Sequence, residues 1–69
     1  MQTKLRVLRK MQKITLTEIA KAVSIDTASL SRIERGLQKT SLETAEKLSV
    51  FFNGEISEME ILYPERYQN

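Results

Sequence analysis

The side chains of this chain that could act on a ligand are its cations. Eleven of the 69 residues are Lys or Arg, and there is neither a cysteine nor a histidine. That removes thiolate and imidazole nucleophile–base pairs, along with the Cys and His ligand sets of zinc sites. The two glycines, Gly36 and Gly54, make no phosphate-cradling loop, and no pair of carboxylates falls in a catalytic motif. The residues point away from an enzyme and from any cofactor. What they do show is a charge gradient. Residues 1–40 hold nine Lys/Arg (Lys4, Arg6, Arg9, Lys10, Lys13, Lys21, Arg32, Arg35, Lys39) against three acids, net +6, and residues 41–69 hold two against six, net −4. A polyanion would meet the first part and be repelled by the second. Two ordinary solvated surfaces would give the same counts.

The length fits one core and one domain, expected over residues 1–64, with a flexible tail at 65–69. A domain this small buries only about 60% of its unfolded surface. With no disulfide or zinc to staple it, stability must come from well-capped helices or a partner. No apolar run approaches the ~18 residues of a membrane span, and the N-terminus has no signal-peptide apolar region. The lack of cysteine fits a reducing compartment. The cytoplasm is the expected location, with no membrane or small-molecule partner.

No segment alternates as a strand would, and the punctuation predicts five short helices, an all-α compact fold. The first spans about Thr3–Met11, with Leu5, Leu8 and Met11 as its inner stripe. The second starts at Thr15, which pairs with Glu18 as a capping box, and Ile14 and Ile19 are spaced as a hydrophobic staple. It turns Ile19, Ala20 and Val23 inward and ends near Ser24. Asp26 caps the third, Ile25 and Leu30 form a second staple, Leu30 and Ile33 face the core, and Gly36 ends it. The fourth runs from Ser41 to about Phe52, with Leu42, Ala45, Leu48, Phe51 and Phe52 apolar. The fifth begins at Ser57, where Ser57/Glu60 repeats the capping box and Ile56/Ile61 the staple, and stops before Pro64.

Helices two and three are separated by little more than Ser24-Ile25, and Ile19, Val23, Ile25, Leu30 and Ile33 supply a shared core. Ala20 is small where the helices must approach. This is the helix-turn-helix arrangement, whose second helix projects its outer face into a DNA major groove. The stretch ITLTEIAKAVSIDTASLSRIERG (Ile14–Gly36), followed by TSLETAEKL (Thr40–Leu48), resembles the lambda-repressor-like family of phage repressors and Cro proteins. The resemblance extends over roughly Leu5–Ile56 without a gap.

The resemblance implies a double-stranded DNA operator as partner and assigns roles by position. Base reading falls to Thr27, Ala28, Ser31 and Arg32. The chemistry agrees, since Arg can bond guanine O6 and N7 bidentately and the Ala and Thr methyls suit thymine. Phosphate contacts fall to Thr15 and Thr17 at the start of the second helix, to Ser29 and Arg35, and to Gln38, Lys39 and Thr40 in the following loop. Arg9 and Glu34 match an ion pair that ties the first helix to the recognition helix. Two positions depart from the family pattern. Leu16 stands where a phosphate-contacting glutamine is usual, and Ser24 replaces the usual turn glycine.

The second half carries more apolar residues than so small a domain can bury. Met59, Leu62 and Tyr63 are the candidates for a homodimer interface, which in the family sets two recognition helices about 34 Å apart. A monomer whose tail folds over them is the alternative. The expected function is a Cro-like repressor in a bacterial or phage-infected cell. An antitoxin, a restriction-modification controller, or a protein-interaction module such as an antirepressor would share these motifs.

Overall fold

Short helices joined by sharp, fully bonded turns build this fold. A computed structural model describes residues 2–67. Its helices are α1 (Lys4–Met11), α2 (Leu16–Val23), α3 (Thr27–Glu34), α4 (Leu42–Phe51) and α5 (Glu58–Leu62), followed by one 3-10 turn at Pro64–Arg66. This is the all-α, five-helix architecture that the sequence predicts. Helices of five to ten residues do not persist alone in water, so their ends and a common core must hold them.

The ends do so by a repeated device. After α1, Lys13 takes a left-handed conformation (φ 56°), Lys13 N donates to Lys10 O and Ile14 N to Arg9 O, both at 3.1 Å. After α2, Ser24 does the same (φ 61°) and Ile25 N donates to Ala20 O at 3.0 Å. These bonds satisfy carbonyls that the helix would otherwise leave orphaned. The residue after each turn is an isoleucine packed on the core, and the next residue is the cap of the following helix. Lys13-Ile14-Thr15 and Ser24-Ile25-Asp26 are thus the same unit: stop, plug, start. Each non-glycine left-handed residue costs on the order of 1 kcal/mol, so these turns are held by the packing around them.

Both capping boxes are formed. Thr15 Oγ1 accepts from Glu18 N at 3.1 Å while Glu18 Oε1 accepts from Thr15 N at 3.2 Å, and Ser57 and Glu60 repeat the exchange at 3.1 and 3.0 Å. Asp26 Oδ2 accepts from Ser29 N at 3.2 Å and sets the start of α3. Gly36 (φ 74°) ends it, with Gly36 N bonded to Ile33 O at 3.0 Å and Leu37 N to Arg32 O at 2.8 Å.

Leu5, Ile19, Ala20, Val23, Leu30, Ile33, Ala45, Leu48, Phe52, Ile56 and Ile61 form the buried core. Leu8 and Leu16 pack partly against it. Met11 does not complete the α1 stripe and is 72% exposed. Each three-residue step falls about 60° short of a full turn, so two steps from Leu5 carry Met11 off the buried face. Leu42, the first residue of α4, is also exposed, beyond the edge of the core. A flexible tail was expected from Glu65. Of that segment Gln68 and Asn69 lie outside the described residues, whereas Pro64–Arg66 make a 3-10 turn with Glu65 bonded back to Lys39 at 3.0 Å.

One polar cluster ties α1 to α3. Arg9 Nε donates to Glu34 Oε2 at 2.8 Å and its Nη2 to Glu34 Oε1 at 2.9 Å, a bidentate pair, and Nη1 reaches Ile14 O at 3.1 Å. Glu34 is only 3% exposed. The buried Thr3 hydroxyl donates to the Glu34 carbonyl and accepts from Arg6 N, capping α1 while fastening the end of α3. Hydrogen bonding to Glu34 holds the Arg9 guanidinium above its ordinary pKa, against the opposing effect of burial. Arg9→Ala leaves the Glu34 carboxylate buried and unpaired, so we expect a loss of about 3–5 kcal/mol in urea unfolding followed by circular dichroism. A loss below about 1 kcal/mol would mean the pair behaves as a surface contact.

Candidate nucleic-acid interface

The buried side of α3 is Leu30, Ile33 and Glu34, which leaves Thr27, Ala28, Arg32 and Arg35 exposed. Ser31 shares that outward face by its three- and four-residue spacing to Ala28 and Arg35 and is half-buried, as is Ser29. The four expected base-reading residues therefore lie together along one side of a helix whose other side is fixed in the core. Arg32 is not a free side chain. Its Nε donates to Gln38 Oε1 at 2.7 Å. Arg35 Nε donates to the Ser31 carbonyl one turn back at 3.2 Å.

Thr15 and Thr17 are exposed at the start of α2. The capping box uses the amides of Thr15 and Glu18, so the N–H groups of Leu16 and Thr17 are the ones that helix geometry leaves without a helical acceptor. The Leu16 side chain turns away from the usual role of its position and packs on the core.

The loop after α3 holds the expected phosphate residues Gln38, Lys39 and Thr40. Gln38 and Thr40 are half-buried. Lys39 reaches the C-terminal turn: its Nζ donates to Leu62 O at 3.2 Å and to Glu65 Oε1 at 3.0 Å, and lies 5.3 Å from the centre of the Tyr63 ring. Arg66 lies over the same ring at 4.4 Å. Of the three expected dimer residues, Met59 is exposed, Leu62 packs partly on the core, and Tyr63 is half-buried with both cations against its ring. Among the described residues the most exposed large apolar side chains are instead Val50, Met11 and Leu37. Residue type and spacing gave no sign of the Lys39–Glu65 contact, which joins positions 26 residues apart.

These elements, a capped helix, a three-residue turn and a second helix exposed along one face, define a helix-turn-helix DNA-binding domain. The family profile described as Helix-turn-helix matches residues 5–59. The chain belongs to this family, the lambda-repressor-like, XRE-type regulators, whose members bind DNA. No curated protein and no solved structure matches it significantly. Among the described residues no helix is long and apolar enough to cross a membrane.

Among the described residues three carboxylates, those of Asp26, Glu60 and Glu65, sit below their ordinary pKa. For Asp26 the cause is hydrogen bonding by Ser29, first from its side chain and then from its backbone, with a smaller contribution from the charge of Arg32. The Ser57 amide and then Lys4, 2.9 Å away, lower Glu60, and the backbone N–H of Glu65 and then Lys39 lower Glu65. A lowered folded pKa means the ionised form is favoured by folding. That stabilisation is complete above the ordinary values of 3.8 and 4.5 and is lost as pH falls through the lower folded ones. We expect the thermal midpoint to hold down to about pH 5 and then to fall, and Asp26→Asn, which still caps α3, to soften that fall. A midpoint that rose on acidification would contradict this.

Proposed function

We propose that the chain is a Cro-like repressor, a sequence-specific transcriptional regulator in the cytoplasm of a bacterial or phage-infected cell. It binds a pseudo-palindromic operator as a homodimer, each α3 entering a major groove. The observation that carries this reading is the exposure of Thr27, Ala28 and Arg32 along one side of a helix pinned on its other side by core packing and the Arg9–Glu34 pair. Arg32 and Ser31 read base edges beside Thr27 and Ala28. Thr15, Thr17, Ser29, Arg35, Gln38, Lys39 and Thr40 set the protein on the phosphates, the amides at the start of α2 serving as anion donors. Lys39 shares its charge with Glu65, so its share of phosphate binding is smaller than that of a free lysine. The dimer contact is assigned to the acidic half, with exposed Met59 at its centre and half-buried Leu62 and Tyr63 beside it.

Selection from a random duplex pool, followed by titration of the selected site, tests this directly. Affinity should drop steeply with salt as phosphate counterions are released. Arg32→Ala should relax base preference at one operator position by about 1–3 kcal/mol without loss of helix content. Uniform weakening of all sequences would remove Arg32 from base reading, and an absence of any enriched duplex would overturn the proposed function.

A further inference from the structure

The same geometry points to a second residue that sets specificity without touching a base. We infer that Gln38 is a positioning residue for Arg32: it holds the guanidinium in one orientation so that its distal edge is presented to the groove. This rests on the reading of Arg32 as a base contact.

The sequence places these two residues together by a turn. Gly36, left-handed at φ 74°, and the bond from Leu37 N to Arg32 O reverse the chain at the end of α3. Gln38 thereby comes beside Arg32, six positions earlier, and its Oε1 accepts from Arg32 Nε at 2.7 Å. The direction of that bond is fixed by chemistry, because arginine has no acceptor and only the oxygen of the amide can face it. Gln38 is half-buried, which limits the rotation of the group doing the holding.

Consequences for recognition follow from the guanidinium fork. With Nε engaged, the donors left are those on Nη1 and Nη2, and these lie at the far edge of a rigid plane. That edge can bond O6 and N7 of a guanine together. An untethered arginine must lose the freedom of a long, rotamer-rich side chain when it makes such a contact, whereas one already held has lost it before DNA arrives. Gln38 therefore acts on the difference between right and wrong bases, through Arg32. A residue that merely bonded phosphate would act on all sequences alike.

Two variants separate these roles. Gln38→Ala removes the acceptor, while Gln38→Glu keeps an acceptor for Arg32 and adds a negative charge near the phosphates. Affinities are measured for the selected duplex, for the same duplex changed at the position that Arg32→Ala identifies, and for an unrelated duplex. Circular dichroism confirms that each variant is folded. Gln38→Ala should weaken all three duplexes alike through the lost phosphate contact and, beyond that, reduce discrimination at that one position roughly two- to tenfold, the scale of ordering one long side chain, with the salt slope unchanged. Gln38→Glu should weaken all three duplexes but keep the preferred base. If Gln38→Ala weakens every duplex equally and leaves discrimination intact while Arg32→Ala abolishes it, the tether is overturned and the base contact stands. If Arg32→Ala itself leaves discrimination intact, the base contact falls and the inference with it.

Discussion

Everything on the exposed side of α3 depends on a carboxylate buried beneath it. Glu34 ends the helix, where the peptide dipoles already concentrate negative charge, so an unpartnered acid there would be doubly unfavourable. Arg9 answers this with two parallel hydrogen bonds, and its remaining amino group binds the Ile14 carbonyl at the turn into α2. One guanidinium thus fixes α1, the start of the helix-turn-helix and the end of the recognition helix relative to one another. The cost of desolvating such a pair makes it a poor source of net stability, and an apolar replacement could match it in energy. What it supplies is direction. Apolar contacts between helices of eight residues tolerate sliding, while a bidentate bond does not.

Much of this was legible because the chain writes its helix starts in polar residues with local partners. Thr15/Glu18, Asp26 and Ser57/Glu60 each act on an amide three positions away, so sequence spacing alone identifies them. Apolar positions of the fourth helix and the Ile56/Ile61 staple supply core as well, with Leu48, Phe52, Ile56 and Ile61 all buried. The helix ends fell within a residue or two of the expected Met11, Ser24, Gly36 and Phe52, but the backbone conformation of the stop was not legible at every one of them. Gly36 announces a left-handed position, but Lys13 and Asn53 adopt one too (φ 56° and 55°), and nothing about a lysine signals it. For Lys13 the packing of the turn must hold that conformation, whereas asparagine is a residue type that adopts it readily. Met11 shows the complementary failure, since a stripe spaced strictly by three precesses around a helix that turns every 3.6 residues.

The candidate interface was readable as a set of residues, whereas the couplings within it were not. Arg32 with Gln38, and Lys39 with Glu65 and Tyr63, are contacts created by the reversal after Gly36 and by the return of the C-terminal turn. Both bind side chains that a sequence reading treats as independent solvated groups. The charge gradient gains a structural meaning from them: the basic half supplies the exposed face of α3, the proposed recognition surface, and one acid from the other half, Glu65, reaches back to Lys39 in the loop beside it. Leu16 illustrates the opposite trade, since a position that could carry a polar contact is used for packing under α2.

The most direct examination of the central claim is amide chemical-shift mapping by NMR as the selected duplex is added. If α3 is held with its outer face toward DNA, the largest changes fall on Leu16–Thr17, Thr27–Arg32 and Gln38–Thr40. The amides around Val50 on α4, outside that surface, stay in place. Changes centred on α4, or changes spread evenly over the chain, would show that this face is not where the duplex binds.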